Sequence, residues 1–428
     1  MAEPTKQEGA WNSSTGTDGK PAVLIIGGLG YIGRFLALHL HQNNLASEVR
    51  LVDKVLPQLA RLAPEFSEAC SQDKFMQADA SRERESLIMP NRLLIPVYIN
   101  VDADGYQCGC LESLSRIFTP VTASEYTYVF NCGGETRYSQ DDSVYSARSL
   151  ALSLNLGREC ARRKTPALVE FSTGMVYKPP SSSAVSSGGC TETANLKPWL
   201  KIAKYKLQVE EGLEKLAKEQ GLQYASLRLA HVYGPYDVGF IARGLCLARV
   251  YKSQGKEMKW LWSKDLRVNT VHVSDVCRAA WSAASWCAAN PPATTSSALL
   301  SERAFNIVDE GDTSQGTLAT IFGSIFGIQT GFQGTLISSF ARFNLDSVVD
   351  DVNEEILQPW ADLLKENGIA ESGPLTPFME KELLKDCDLS LNAAKAERVL
   401  GWTRSKPKLG EEEVKEVLGS YGKMNWWP

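Results

Sequence analysis

The chain has 428 residues, with 45 Lys or Arg against 50 Asp or Glu for a net charge of −5, and 43% of it is hydrophobic. This length and apolar content exclude a disordered or fibrous chain and suffice for several core layers without disulfide or metal staples. The mild acidity argues against nucleic-acid or anionic-membrane partners, both of which want a basic field.

Residues 1–20 (MAEPTKQEGAWNSSTGTDGK) are polar and carry neither an apolar h-region nor an Arg, which predicts a disordered tail on a cytoplasmic protein. Ordered sequence begins at Pro21. VLIIGG (23–28) reads as a buried parallel strand, and 31–41 as a helix with Ile32, Phe35, Leu36 and Leu40 at helical spacing. Further strands follow at VRLVD (49–53), FMQAD (75–79), YVFN (128–131), ALVEFST (167–173) and YASLRLAHV (224–232), with helical patterns at 143–163 and 199–219. Strands alternating with helices predict an α/β fold, a Rossmann-type doubly wound parallel sheet.

After Tyr233 the pattern loosens: a helix at 239–253, a strand at 266–273, a helix at 275–286 and a short strand at 305–308. We expect residues 21–235 to form a dinucleotide-binding domain. Residues 236–428 are expected to form mainly a smaller α+β substrate part, with some return to the sheet. Polar stretches at 178–195, at 288–301 and within 82–107 read as loops, the first a mobile rim of the substrate cleft. The acidic stretch 338–385 reads as helical. The most apolar late segment, 317–332, is too short and too polar to span a membrane.

The clearest chemical signal is Gly27-Gly28-Leu29-Gly30-Tyr31-Ile32-Gly33, between the first strand and its helix. Glycines there permit a tight turn, close approach of backbone to a pyrophosphate, and tight helix–sheet packing, while the helix N-terminus offers free N–H groups. The second strand ends in Asp53, 20 residues beyond Gly33, placed to accept from the adenosine ribose hydroxyls and to repel a 2′-phosphate. NAD is therefore expected over NADP, with Lys54 keeping NADP open. Asp79 is either near the adenine or a plain turn residue. The four His show no HxH or HExxH spacing and the ten Cys no CxxC, so no metal is expected, and the cysteines read as reduced thiols. His39 shares a helix face with Ile32 and reads as packed.

These residues resemble the extended short-chain dehydrogenase/reductases of the NAD-dependent epimerase/dehydratase type, which include nucleotide-sugar epimerases and 3β-hydroxysteroid-type enzymes. Gly27, Gly30 and Gly33 match the family's GxxGxxG, VFNCGG (129–134) its fourth strand, FSTGMVY (171–177) its Ser-rich strand, and LRLAHVYGP (227–235) its LRxxNVYGP with His231 for Asn. RVNTVHVSDV (267–276), FNIVDEGDTS (305–314) and LSLNAAKAERVLGW (389–402) are similar to later segments, so the resemblance covers roughly 22–420. It implies cofactor contacts from the glycine turn with Tyr31 and Ile32, and from Cys132, Gly133, Lys206 and His231. It further implies Thr173 at the catalytic Ser/Thr position, Arg267 near substrate phosphates, and a possible homodimer.

The family's acid–base pair is a Tyr and a Lys four residues apart on one helix. No Tyr in this chain has that partner. In KPWLKIAKYKLQVEEGL (197–213), Lys206 takes the Lys place and Ile202 stands where the Tyr belongs; with Lys204 as the Lys, Leu200 stands there instead. Tyr205 points about 100° away from Lys206 on a helix. His231 is a second proton carrier or a satisfied ring under the cofactor, and Arg267 a phosphate fork or a surface ion pair. Two functions follow. One is an epimerase/dehydratase-like oxidoreductase acting on a hydroxylated small molecule, such as a nucleotide sugar or a sterol-like alcohol, with an altered acid. The other is an NAD-binding scaffold or redox sensor without turnover.

Overall fold

A computed structural model describes residues 19–81, 114–291, 300–369 and 373–428. The expected tail, except at its last two residues, all of the 82–107 stretch and most of the 288–301 stretch lie outside the described residues. Seven strands form one sheet: β1 (Ala22–Ile26), β2 (Glu48–Asp53), β3 (Phe75–Gln77), β4 (Tyr128–Asn131), β5 (Ala167–Thr173), β6 (Tyr224–Leu229) and, late in the chain, Ala304–Ile307. In space their order is Ala304–Ile307, β6, β5, β4, β1, β2, β3, every pairing parallel. The order reverses between β1 and β4, which opens a crevice at the strands' carboxyl ends where α/β folds hold ligands.

The strands are apolar runs because helices cover both faces. β1 is buried along its whole length. Leu152–Arg163 and Lys201–Gln220 pack together on one face; Tyr31–Gln42 and Val273–Ala289 pack together on the other. The expected strand 224–232 is broken. At Ala230 the backbone N–H still reaches Ile307 O in the sheet, but His231 N–H donates to Asn269 O, so His231–Tyr233 pairs instead with Thr270–His272. The expected helix 143–163 is also interrupted, with a wider π turn at Ser146–Ala151.

Beyond the sheet, Phe240–Gln254, Gln315–Phe326, Thr335–Phe343 and Leu345–Glu366 gather with the two-stranded pair Met258–Trp260 and Thr330–Phe332. The 178–195 segment is tied down rather than free along its length. Lys178 N–H donates to Asn195 O, Ser182–Ser186 is helical, and Cys190 exchanges backbone hydrogen bonds with Ser390 and Asn392. The eight described cysteines are unbridged. No helix among the described residues is long and apolar enough to cross a membrane.

Candidate functional site

The turn after β1 is built so that almost no side chain fits inside it. Gly27 has φ +69°, and a Cβ there would lie 2.7 Å from Gly133 N; a Cβ on Gly33 would lie 2.2 Å from Gly27 O. Gly30 differs, with φ −65° and ψ 175°, a conformation open to any residue. The helix that follows has no acidic residue in its first turn and no side-chain cap, leaving its first N–H groups for an anion. Tyr31 and Ile32 open this helix. The Tyr31 ring meets Phe35 edge-on at 5.5 Å and its buried hydroxyl has no partner among the described residues.

Arg34, which sequence reasoning passed over, clamps the turn from behind. Its guanidinium donates to Leu29 O at 2.6 Å, to Gly30 O at 3.2 Å and to Ala60 O at 3.1 Å. The spacing of Arg34 four residues beyond Gly30 was the available signal. Asp53, at the end of β2, accepts from Leu29 N–H and from Val55 N–H, both at 3.1 Å, which anchors its carboxylate beside the turn. Lys54 does not face the same space. It pairs with Asp79 at 3.0 Å. Burial pushes the Asp79 carboxyl up, but hydrogen bonds from Ser81 and Lys54 outweigh it and hold the group below its usual range. With Lys54 engaged by Asp79 and the Asp53 carboxyl fixed beside the turn, the residues fit NAD.

At the end of β4, Cys132 and Gly133 lie directly against Gly27, and burial keeps the Cys132 thiol protonated well above its ordinary range. Glu135 is buried just beyond, where Arg137 first and Arg148 with it lower its carboxyl to about 2. At the end of β5, Thr173 Oγ1 accepts from Met175 N–H at 3.2 Å, so its own proton remains free to donate.

Lys206 reaches the same edge from the Lys201–Gln220 helix. Its Nζ donates to Phe171 O at 2.6 Å and to Glu170 Oε1 at 3.2 Å. Glu170 is fully buried within β5 and also accepts from Asn131 Nδ2 at 2.6 Å. Burial raises its carboxyl, and Lys206 is the strongest opposing influence. A carboxylate inside an apolar strand run was visible in ALVEFST, yet nothing local to the sequence pointed to its partner. Ile202, one turn before Lys206, is half-buried against the core. Tyr205 is turned away: its hydroxyl donates to Asp142 at 3.0 Å and its ring stacks on Tyr145 at 5.5 Å.

His231 stacks on Phe240 at 4.4 Å, and burial lowers its imidazole to about 4. The ring is therefore neutral at physiological pH. Its contribution to stability is present above the ordinary histidine range of ~6.5 and is lost as pH falls through about 4. We expect an NMR titration to place its midpoint near 4; an imidazolium still present at about pH 6 would contradict the burial argument.

Arg267 is not brought to this edge as a free fork. Its guanidinium pairs with Asp312 at 2.7 Å and donates to Asp265 O at 2.7 Å.

No curated protein matches the chain. Among solved structures it is similar to Pal from Bacillus thuringiensis (15% identity, 95% of this chain and 98% of that one, TM-score 0.60). It is also similar to UDP-glucuronic acid 4-epimerase from Bacillus cereus in complex with NAD (14%, 95% and 99%, 0.59). A third is UDP-glucose 4-epimerase from Thermotoga maritima with UDP-glucose (19%, 94% and 99%, 0.57). Likeness at this identity concerns the fold. The model of the NAD dependent epimerase/dehydratase family matches residues 23–298, the span holding the glycine turn, Asp53, Thr173 and Lys206, and the chain belongs to that family.

Proposed function

We propose that the chain binds NAD and acts as an epimerase/dehydratase-type oxidoreductase on a hydroxylated small molecule, with an acid–base group other than the family's phenol. The supporting observation is convergence: the Gly27 to Gly33 turn, Asp53, Thr173 and Lys206 all stand at the carboxyl edge of one parallel sheet. Bound NAD supplies a hydride acceptor. The chain's own contribution is to bind and orient. The turn amides hold the pyrophosphate, Asp53 the adenosine ribose, and Thr173 Oγ1–H a substrate oxygen. An ammonium has three donors, and Glu170 and Phe171 occupy two of those on Lys206, leaving one for a ribose hydroxyl or a proton to be passed on. Calorimetric titration should show NAD binding more tightly than NADP, and Asp53→Ala weakening NAD by about tenfold or more, as loss of a charge-assisted hydrogen bond requires. Equal or tighter NADP binding, or an unchanged Asp53→Ala, would sink the assignment.

Ile202 and the turned-away Tyr205 favour a second reading, an NAD-holding protein without turnover. Its test is Ile202→Tyr, which restores a Tyr one turn before Lys206. A lapsed enzyme should keep its NAD affinity and gain hydride transfer on an alcohol and nucleotide-sugar panel that the parent ignores. Turnover by the parent that dies in His231→Ala or Tyr205→Phe would mark a relocated acid and rule the scaffold out.

A further inference from the structure

Open apolar surface is concentrated on one short helix. In Thr335–Phe343, Leu336 is 87% exposed, Phe343 93%, Phe340 55% and Ile337 45%, while Ala341 is the one buried residue of the helix. Leu336, Phe340 and Phe343 follow one another at steps of four and three residues, so they form a single stripe, and that stripe faces solvent. The helix is seated with its small residues inward and its largest apolar ones outward.

It is also pinned in that orientation. Ser338 Oγ donates to Leu261 O at 2.8 Å, and Ala341 packs with Leu261, Trp262 and Leu266 on the inner side. On the flank, Arg342 pairs with Asp386 at 2.8 Å and lies over the Trp262 ring at 5.9 Å. Rolling the stripe inward would break these contacts and drive a phenylalanine into the space of an alanine.

An aromatic side chain covers ~150–250 Å² when buried, so the stripe with Ile337 holds on the order of 500 Å² of open apolar surface. That is near the upper end of what a monomer leaves bare, and about two-thirds of the ~800 Å² per partner in a standard interface. The polar rim supplies the remainder. It carries both signs, Arg342 with Asp386 and Lys381 with Asp346, so it is not repelled by an identical rim. An anionic lipid surface fits worse: Arg342, the one cation of this helix, is engaged, and the first two turns of Leu345–Glu366 expose Asp346, Asp350 and Asp351.

We propose that Thr335–Phe343 is a self-association surface, on which a second copy of this chain lays its own Thr335–Phe343 antiparallel about a two-fold axis. The stripe is nearly symmetric about Phe340, so the axis sets the two Phe340 rings together and Phe343 of each copy against Leu336 of the other. The helix has neither a side-chain cap nor an acidic residue in its first turn, and antiparallel packing places that positive end beside the negative end of the other copy. The paired helices Leu152–Arg163 and Lys201–Gln220 offer no such stripe, since they turn Arg158, Arg162, Lys204, Glu211 and Lys215 outward.

Sedimentation equilibrium of the full chain tests this. An interface of this size corresponds to a dimer with a dissociation constant of about 1–10 µM. Phe343→Asp and Leu336→Asp, both at solvent-facing positions, should each raise it at least ~100-fold with an unchanged circular dichroism spectrum. Oxidation of a mixture of Leu336→Cys and Phe343→Cys chains should yield more cross-linked dimer than either variant alone or the parent. A chain still monomeric at about 100 µM, or a dimer that both aspartate variants leave intact, would overturn the proposal. So would efficient cross-linking of Leu336→Cys with itself, which only a parallel contact allows. Flotation with phosphatidylcholine vesicles should leave the chain behind; capture that Phe343→Asp abolishes would assign the stripe to lipid and overturn it equally.

Discussion

Gly33→Ala is expected to lose both stability and cofactor. The new Cβ would sit 2.2 Å from the carbonyl oxygen of Gly27 and 2.8 Å from Gly28 Cα, both backbone atoms that no rotamer change can move aside. The Tyr31–Gln42 helix must therefore lift from the turn, at a cost of about 3 kcal/mol or more, in the range of severe overpacking. NAD affinity should fall at least ~100-fold, because the helix N-terminus no longer faces the pyrophosphate. Gly30→Ala separates the two effects. Its backbone is ordinary and the nearest atom to a new Cβ is Gly27 O at 3.2 Å, so the fold should persist while a methyl group occupies the space above the turn. Denaturant unfolding and calorimetry on both variants decide the matter. Unchanged NAD affinity in Gly30→Ala would show that the pyrophosphate does not approach there.

Glu210→Ala should be comparably damaging for an electrostatic reason. Arg228 and Glu210 are both fully buried, with Nη2 to Oε2 at 2.5 Å and Nε to both carboxylate oxygens at 3.1 Å. Arg228 also donates to Tyr177 Oη at 2.7 Å, and Tyr177 in turn to Asn306 Oδ1 at 2.8 Å. This network ties the Lys201–Gln220 helix to β6 and to the late strand Ala304–Ile307, and so sets the depth of Lys206, one turn before Glu210. Removing one partner leaves a guanidinium unpaired in the core, which costs about 3–5 kcal/mol. The double variant Glu210→Leu with Arg228→Met should recover much of that loss, since an apolar pair leaves no buried charge. Denaturant unfolding yielding a loss below ~1 kcal/mol for Glu210→Ala would show that the pair is not the anchor described.

The sequence by itself determined the elements whose cause is local. A parallel strand covered on both faces is a mainly apolar run, so YVFN and ALVEFST could be delimited to the residue even with Asn131 and Glu170 inside them. The glycine turn was legible because the positive φ at Gly27 and the approach of Gly33 to Gly27 concern residues within a few positions of one another, although the close approach of Gly133 to Gly27 was not visible there. The same holds for the absence of a Tyr four residues before any Lys. Tertiary structure decided what depends on a partner far along the chain. The strand at 224–232 had a continuous pattern, and only the competition of Asn269 O for His231 N–H split it. Glu170 could be read as a carboxylate in a strand, but its pairing with Lys206, 36 residues on, follows from how deeply the helix seats against β5. Arg267 could be read from sequence as a phosphate fork or a surface ion pair, and only the fold set Asp312 beside it.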